Sequence, residues 1–274
     1  MSNPPNQPKS GSRTTWLIAG GVLVVVIALV IALTTTSKKS SPKVPTGSAA
    51  SSVVRKATSV PASVYESVGV GTEQGLPKPT GGAKLTAQGK PEVFFMGAEY
   101  CPFCATERWA IVAALSRFGT FSNLGLSHSS GTDTYPNTQT VTFYGASYTS
   151  KYVSFRSVEL TTNKPDGKGG YTTLQNPTTA EQKFVAAVNP QGSIPFLDFG
   201  GRFFTAGVTY DPGVLQGKTA SQIATLLSQP SSPVAKGAIG SANALTAAIC
   251  EITGGQPGTV CNTSTIKGIR SQLS

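Results

Sequence analysis

Histidine is almost missing: His128 is the only imidazole in 274 residues. A zinc or non-haem iron centre built on several histidines is excluded, and any histidine-based catalysis must run through that one ring. Charge is scarce too. Acidic and basic residues together make up 12% of the chain, about half the usual ~25% share, which excludes a charge-laced coil. No three- or seven-residue period is visible, so collagen-like and long coiled-coil architectures are out. Cysteine is limited to Cys101, Cys104, Cys250 and Cys261. The length nonetheless suffices for one or two domains with a real core.

The net charge of +10 is unevenly placed. Residues 1–90 carry 10 Lys/Arg against Glu66 and Glu73, whereas residues 91–274 carry 12 against 10 Asp/Glu. A nucleic-acid binder needs a basic patch with interleaved aromatics on its folded part. None is visible, and nucleic acid is not expected as a partner.

One long apolar run exists. Trp16 to Leu33 contains 18 residues without a charge, enough at ~1.5 Å per residue to span about 27 Å of hydrocarbon. A secretory signal has a shorter core and a small-residue cleavage site, which this run lacks. We expect an uncleaved single-pass helix over 16–33, with the lipid bilayer as its partner. Lys9 and Arg13 flank one end and Lys38, Lys39 and Lys43 the other. That charge balance decides little, because long domains translocate largely regardless of it. The Pro/Ser/Thr-rich stretches on either side bury too little to order themselves. They read as a tail over 1–15 and a flexible tether over 34–60, with room for a short helix between Ser52 and Gly69. A domain over 61–274 follows.

Pro91–Gly97 is a short apolar, aromatic run that reads as a buried strand. Ala98-Glu-Tyr-Cys-Pro-Phe-Cys104 follows, and then apolar positions at helical spacing, with Gly119 suited to closing the helix. Strand, C-x-x-C, helix is the setting in which this motif means redox chemistry. At a helix N-terminus, unpaired N–H groups and the dipole favour a thiolate, so Cys101 is the expected nucleophile. Pro102 wastes no donor there. Cys104, one turn on, is the expected resolving thiol, and Glu99 a possible proton acceptor. The bland readings of the pair are a structural disulfide or half a zinc site, though zinc wants a second close pair or histidines.

Further on, Ile194-Pro-Phe-Leu-Asp-Phe199 and Arg202-Phe-Phe-Thr-Ala-Gly207 flank Gly200-Gly201 and read as a hairpin. Thr178-Thr-Ala-Glu181 and Thr219-Ala-Ser-Gln222 open helices with capping-box spacing. The latter is expected as the terminal helix. Cys250 ends an apolar helical stretch, and Gly-Gly-Gln-Pro-Gly turns the chain before Cys261. A bridge across that turn is expected, with a second redox pair as the alternative. His128 reads as an exposed loop residue, and a Cys101–His128 hydrolase as a remote option. For Glu107 and Trp109, solvated-face and packing roles are open. Lys164–Gly170 is a turn that lacks the ending of a phosphate loop. The phenylalanines of the strands are most simply core.

The C-x-x-C on a strand-to-helix turn, the later Ser-Ile-Pro leading a hairpin and a closing helix together resemble the thioredoxin superfamily. That resemblance implies a cis bond at Ile194–Pro195, forming the substrate-side wall of the site. More narrowly, GAEYCPFCATERWAIVAALSRFGTFSNL and NALTAAICEITGGQPGTVC are similar to a membrane-anchored thioredoxin-like family known as domain of unknown function 929. It implies an α/β thioredoxin-like fold, enlarged here over about 120–176, because Cys104 and Pro195 stand far apart. No organic cofactor is implied, since a dithiol carries two electrons itself. The expectation is a membrane-anchored thiol–disulfide oxidoreductase facing away from the cytoplasm. Its expected partners are protein thiols and disulfides outside the membrane, with an electron-exchange partner of its own. Two cysteine pairs suit that oxidising side. The alternatives are a non-catalytic binding or scaffold domain stabilised by its disulfides, and a copper-handling protein short of ligands.

Overall fold

The computed structural model describes residues 46–273. The expected membrane helix at 16–33 lies outside them, as do the tail and residues 34–45. Among the described residues, no helix is long and apolar enough to cross a membrane. Two helices come first, α1 (Gly47–Thr58) and α2 (Ala62–Val68). α1 corrects the tether expected over 34–60: a short helix was expected to have room only from Ser52, and it begins at Gly47. Val53 and Ala57, one turn apart, are buried against the domain and give this Ser-rich stretch a face worth ordering.

Short β1 (Lys78–Pro79) and β2 (Thr86–Ala87) lead to β3 (Lys90–Gly97) and then to helix α3 (Pro102–Leu115). α3 ends on Ser116, not at Gly119. Gly119 instead opens β4 (Gly119–Ser122), where the Thr149 carbonyl lies 2.3 Å from where a Cβ would stand. Next come β5 (Gly125–His128), β6 (Gln139–Thr142) and β7 (Ser147–Ser150), pairing as β4 with β7 and β5 with β6. They are followed by β8 (Ser154–Glu159), a hairpin of β9 (Thr161–Pro165) and β10 (Tyr171–Thr173), and helix α4 (Thr179–Val188). The hairpin β11 (Phe196–Phe199) and β12 (Phe203–Ala206) precedes α5 (Ala220–Leu226) and α6 (Pro233–Ile252). Short α7 (Gly258–Cys261) and α8 (Ser264–Arg270) close the described chain.

The principal sheet has six strands in the order β1-β12-β11-β3-β2, with β8 parallel to β3. β8 falls within residues 120–176, so that segment is not all enlargement: it supplies a central strand. Alternate side chains of β3 divide the core. Val93 and Phe95 join the cluster formed with α3 and α6, while Phe94 and Met96 meet Val185 of α4. Helices thus cover the sheet from both faces. The fold is mixed α/β.

Two helix starts follow their sequence signals. Thr178 with Glu181 and Thr219 with Gln222 each form the reciprocal capping box. α5 is nevertheless not terminal. The long α6 runs along α3, and its end is tied down by the Cys250–Cys261 disulfide, with Cα atoms 5.5 Å apart. Gly254 makes the turn possible: at φ 64° it takes the left-handed conformation that ends a helix. Closing so short a loop contributes about 3 kcal/mol in the chain-entropy account. Cys250→Ala with Cys261→Ala is therefore expected to lower unfolding stability by about that amount, read from urea melts. An unchanged midpoint would contradict a structural role.

Candidate functional site

Cys101 is the N-cap of α3, and Pro102 takes the first helical position. The Cys104 backbone N–H donates to the Cys101 Sγ over 3.2 Å. That contact and the thiol hydrogen bond from Cys104 hold Cys101 below the ordinary cysteine range, despite its burial. Cys104 is fully buried, and burial pushes its thiol well up. The two cysteines stand as free thiols, one poised to ionise and the other to keep its proton. This asymmetry is what sequential attack requires.

The turn carrying the motif is pinned from several sides. Glu99 N donates to Thr161 O over 2.9 Å, and Ser130 N donates to Tyr100 O over 2.8 Å. Gly97 has no freedom to grow: a Cβ there would lie 2.5 Å from the Phe95 ring and 3.2 Å from the Cys104 Sγ. Across the site, Ile194–Pro195 is cis, and Ile194 packs on the cluster of Ala98, Cys101 and Cys104. Asn189 fixes the approach to that bond. Its side-chain amide donates to Ser193 O over 2.8 Å, and its carbonyl oxygen accepts from Ser193 N over 3.2 Å.

Glu99 is buried beside the motif. One carboxylate oxygen accepts from the Thr142 hydroxyl, and Oε2 has no hydrogen-bond partner among the described residues. His128 is not the exposed loop residue expected. It is half-buried at the end of β5, paired in register with Gln139, and its Nδ1 lies 2.8 Å from Ser129 O. Cys250 and Cys261 bond to each other, in a separate hydrophobic cluster from the dithiol. Among the described residues, no group of three or more His, Cys, Asp or Glu could hold a metal ion.

Aromatic residues surround the motif. The Tyr171 ring stacks on Tyr100 at 4.3 Å, and the Tyr171 hydroxyl donates to Ser130 Oγ over 2.7 Å. Phe103, 37% exposed, meets Tyr135 edge-on. Cys101 itself is 4% exposed. Tyr171→Ala is expected to raise the alkylation rate of Cys101 several-fold, because it removes the stacked ring and frees Ser130. An unchanged rate would show that the β9–β10 hairpin does not restrict access.

Two residues of α3 take roles that sequence reasoning missed. Glu107 is fully buried, accepting from Thr209 N at 2.9 Å and from the hydroxyls of Thr209 and Ser241. Arg108 is also fully buried and forms two bonds to Glu159, at 2.9 and 2.6 Å. The available signal was the helix itself. Apart from Phe103, α3 is buried on every side, so its polar residues had to meet partners inside.

Residues 80–168 match the family described as Domain of unknown function (DUF929). The matched stretch includes Glu99, Cys101, Cys104, Arg108 and Glu159, and ends before the cis-proline loop and the disulfide. No curated protein and no solved structure matches the chain.

Proposed function

We propose that the chain is a membrane-anchored thiol–disulfide oxidoreductase of thioredoxin-like fold, working on proteins outside the membrane. The observation that carries the reading is the dithiol at the N-terminus of α3, with Ile194, which precedes the cis bond to Pro195, packed against it. The parallel β3–β8 pair and antiparallel β3–β11–β12 strands support the fold. The apolar run at 16–33 supports the anchor, and the Cys250–Cys261 bridge supports an oxidising compartment.

The chemistry runs in two exchanges. The Cys101 thiolate attacks one sulfur of a substrate disulfide, forming a mixed disulfide and expelling the other sulfur as a thiolate. Cys104 then gives its proton to Glu99 and attacks the Cys101 Sγ. A Cys101–Cys104 disulfide forms, the second substrate thiolate leaves, and two electrons have passed to the substrate. The same steps reversed oxidise a substrate dithiol. Ile194 presents its backbone beside the sulfurs as the wall along which the substrate chain lies.

Trapping tests this reading. Full-length Cys104→Ser, expressed in membranes, is expected to accumulate mixed disulfides that reductant releases and that the Cys101→Ser/Cys104→Ser chain lacks. If Cys104→Ser forms no such adducts, substrate exchange is contradicted.

A further inference from the structure

The Arg108–Glu159 pair has no place in that exchange, yet the Arg108 charge acts on both reacting sulfurs. Arg108 is one helical turn beyond Cys104 on α3, and its Nη2 also donates to Ala98 O on the turn that presents Cys101. Glu159 engages the guanidinium through Nε and Nη2, so the third nitrogen, Nη1, points away from the carboxylate. Nη1 is buried with no hydrogen-bond partner among the described residues. The guanidinium carbon stands 5.7 Å from the centre of the Phe95 ring, and a Cβ added at Gly97 would meet both that ring and the Cys104 Sγ. Glu159 in turn sits opposite Gly97 in the β3–β8 register.

We infer that Arg108, held in place by Glu159, is the positioning residue that sets how readily each sulfur of the dithiol becomes a thiolate. A buried ion pair is costly to desolvate and weak as a source of stability. Its placement here supplies a fixed positive charge to a site with little water to screen it. That charge holds both thiols below where burial alone would put them. It matters most for Cys104, which must ionise in the second exchange while buried. Burial pulls Arg108 down, but the two nearby carboxylates, Glu159 and Glu99, more than restore its proton. Burial pushes the Glu159 carboxyl up while Arg108 opposes it, and the two short hydrogen bonds are those of an ionised pair. Of the other titratable groups, Tyr100 beside the motif interacts with both sulfurs, and Asp133 in the loop after β5 and Tyr171 of the β9–β10 hairpin in turn interact with Tyr100.

The inference rests on the exchange reading for its purpose, but its test does not depend on turnover. The pH dependence of Cys101 alkylation is followed by mass spectrometry on the reduced full chain. Arg108→Met with Glu159→Gln removes the charge without stranding its partner, and is expected to lower labelling near neutral pH by about tenfold. Glu159→Gln alone leaves the guanidinium uncompensated and is expected to move the profile the opposite way, towards lower pH. Arg108→Lys keeps the charge and is expected to stay near wild type. Either Gln-bearing variant suffices if the other fails to fold. A folded variant of either kind with a wild-type profile overturns the role of Arg108. A wild-type Cys101–Cys104 bond too stable to exchange would instead overturn the function, leaving this profile still measurable on the reduced chain.

Discussion

Replacing Cys101 by serine is expected to abolish disulfide exchange while leaving the domain folded. Serine is among the best N-cap residues, so its hydroxyl can take over the bond from Cys104 N. The start of α3 therefore loses no cap, and stability should stay within about 1 kcal/mol of wild type. Oxygen cannot form the mixed disulfide, so the reduction rate of a disulfide-bonded protein should fall to that of buffer. The scaffold alternative expects a different pattern. If Cys101–Cys104 were a structural bridge, losing it would destabilise the domain, and partner binding would be the activity to survive. Urea melts and exchange assays on the same variant separate the two.

A second large effect is expected from Glu107, and it concerns stability against pH. Burial pushes this carboxyl to about 7 from its ordinary 4.5, against the opposing hydrogen bonds of Thr209 and Ser241. The folded chain therefore keeps a proton that the unfolded chain releases. Stability from this group is fully present below about pH 4.5, falls as pH rises, and levels off above about pH 7. The loss over that window is about 3 kcal/mol. Asp198 acts in the same direction, pushed to about 7 chiefly by burial, with Glu92 adding to it and Gly201 N opposing. Glu107→Gln mimics the protonated carboxyl and should remove the Glu107 share alone. Urea unfolding at pH 5 and pH 8 is the check. The wild type should be clearly weaker at pH 8, and the variant should recover about 3 kcal/mol there. Equal pH dependence in the two chains would contradict the burial of an ionisable Glu107.

Local signals were legible and distant pairings were not. The strand, the C-P-F-C turn and the helix are contiguous, so their geometry follows from neighbouring residues. The capping boxes at Thr178 and Thr219 are equally local. Cys250 and Cys261 face each other across one turn, and their bridge was expected on that basis. The cis bond at Ile194–Pro195 was implied by resemblance alone. By contrast, Arg108 meets Glu159 across 51 positions and Glu107 meets Thr209 across 102, and no periodicity connects them. The start of α1 was hidden by composition: its serines resemble a linker, and only the spacing of Val53 and Ala57 marks a buried face. β8 lies in the stretch read as enlargement, and its place beside β3 depends on a crossover that sequence does not specify.

The most direct test of the account is a glutathione redox titration of the full chain, with all four cysteines mapped by mass spectrometry. We expect Cys101–Cys104 to titrate between about −270 and −120 mV, the range of exchange catalysts, while Cys250–Cys261 stays oxidised. A Cys101–Cys104 bond still oxidised below about −300 mV would make it a structural bridge and contradict the central claim.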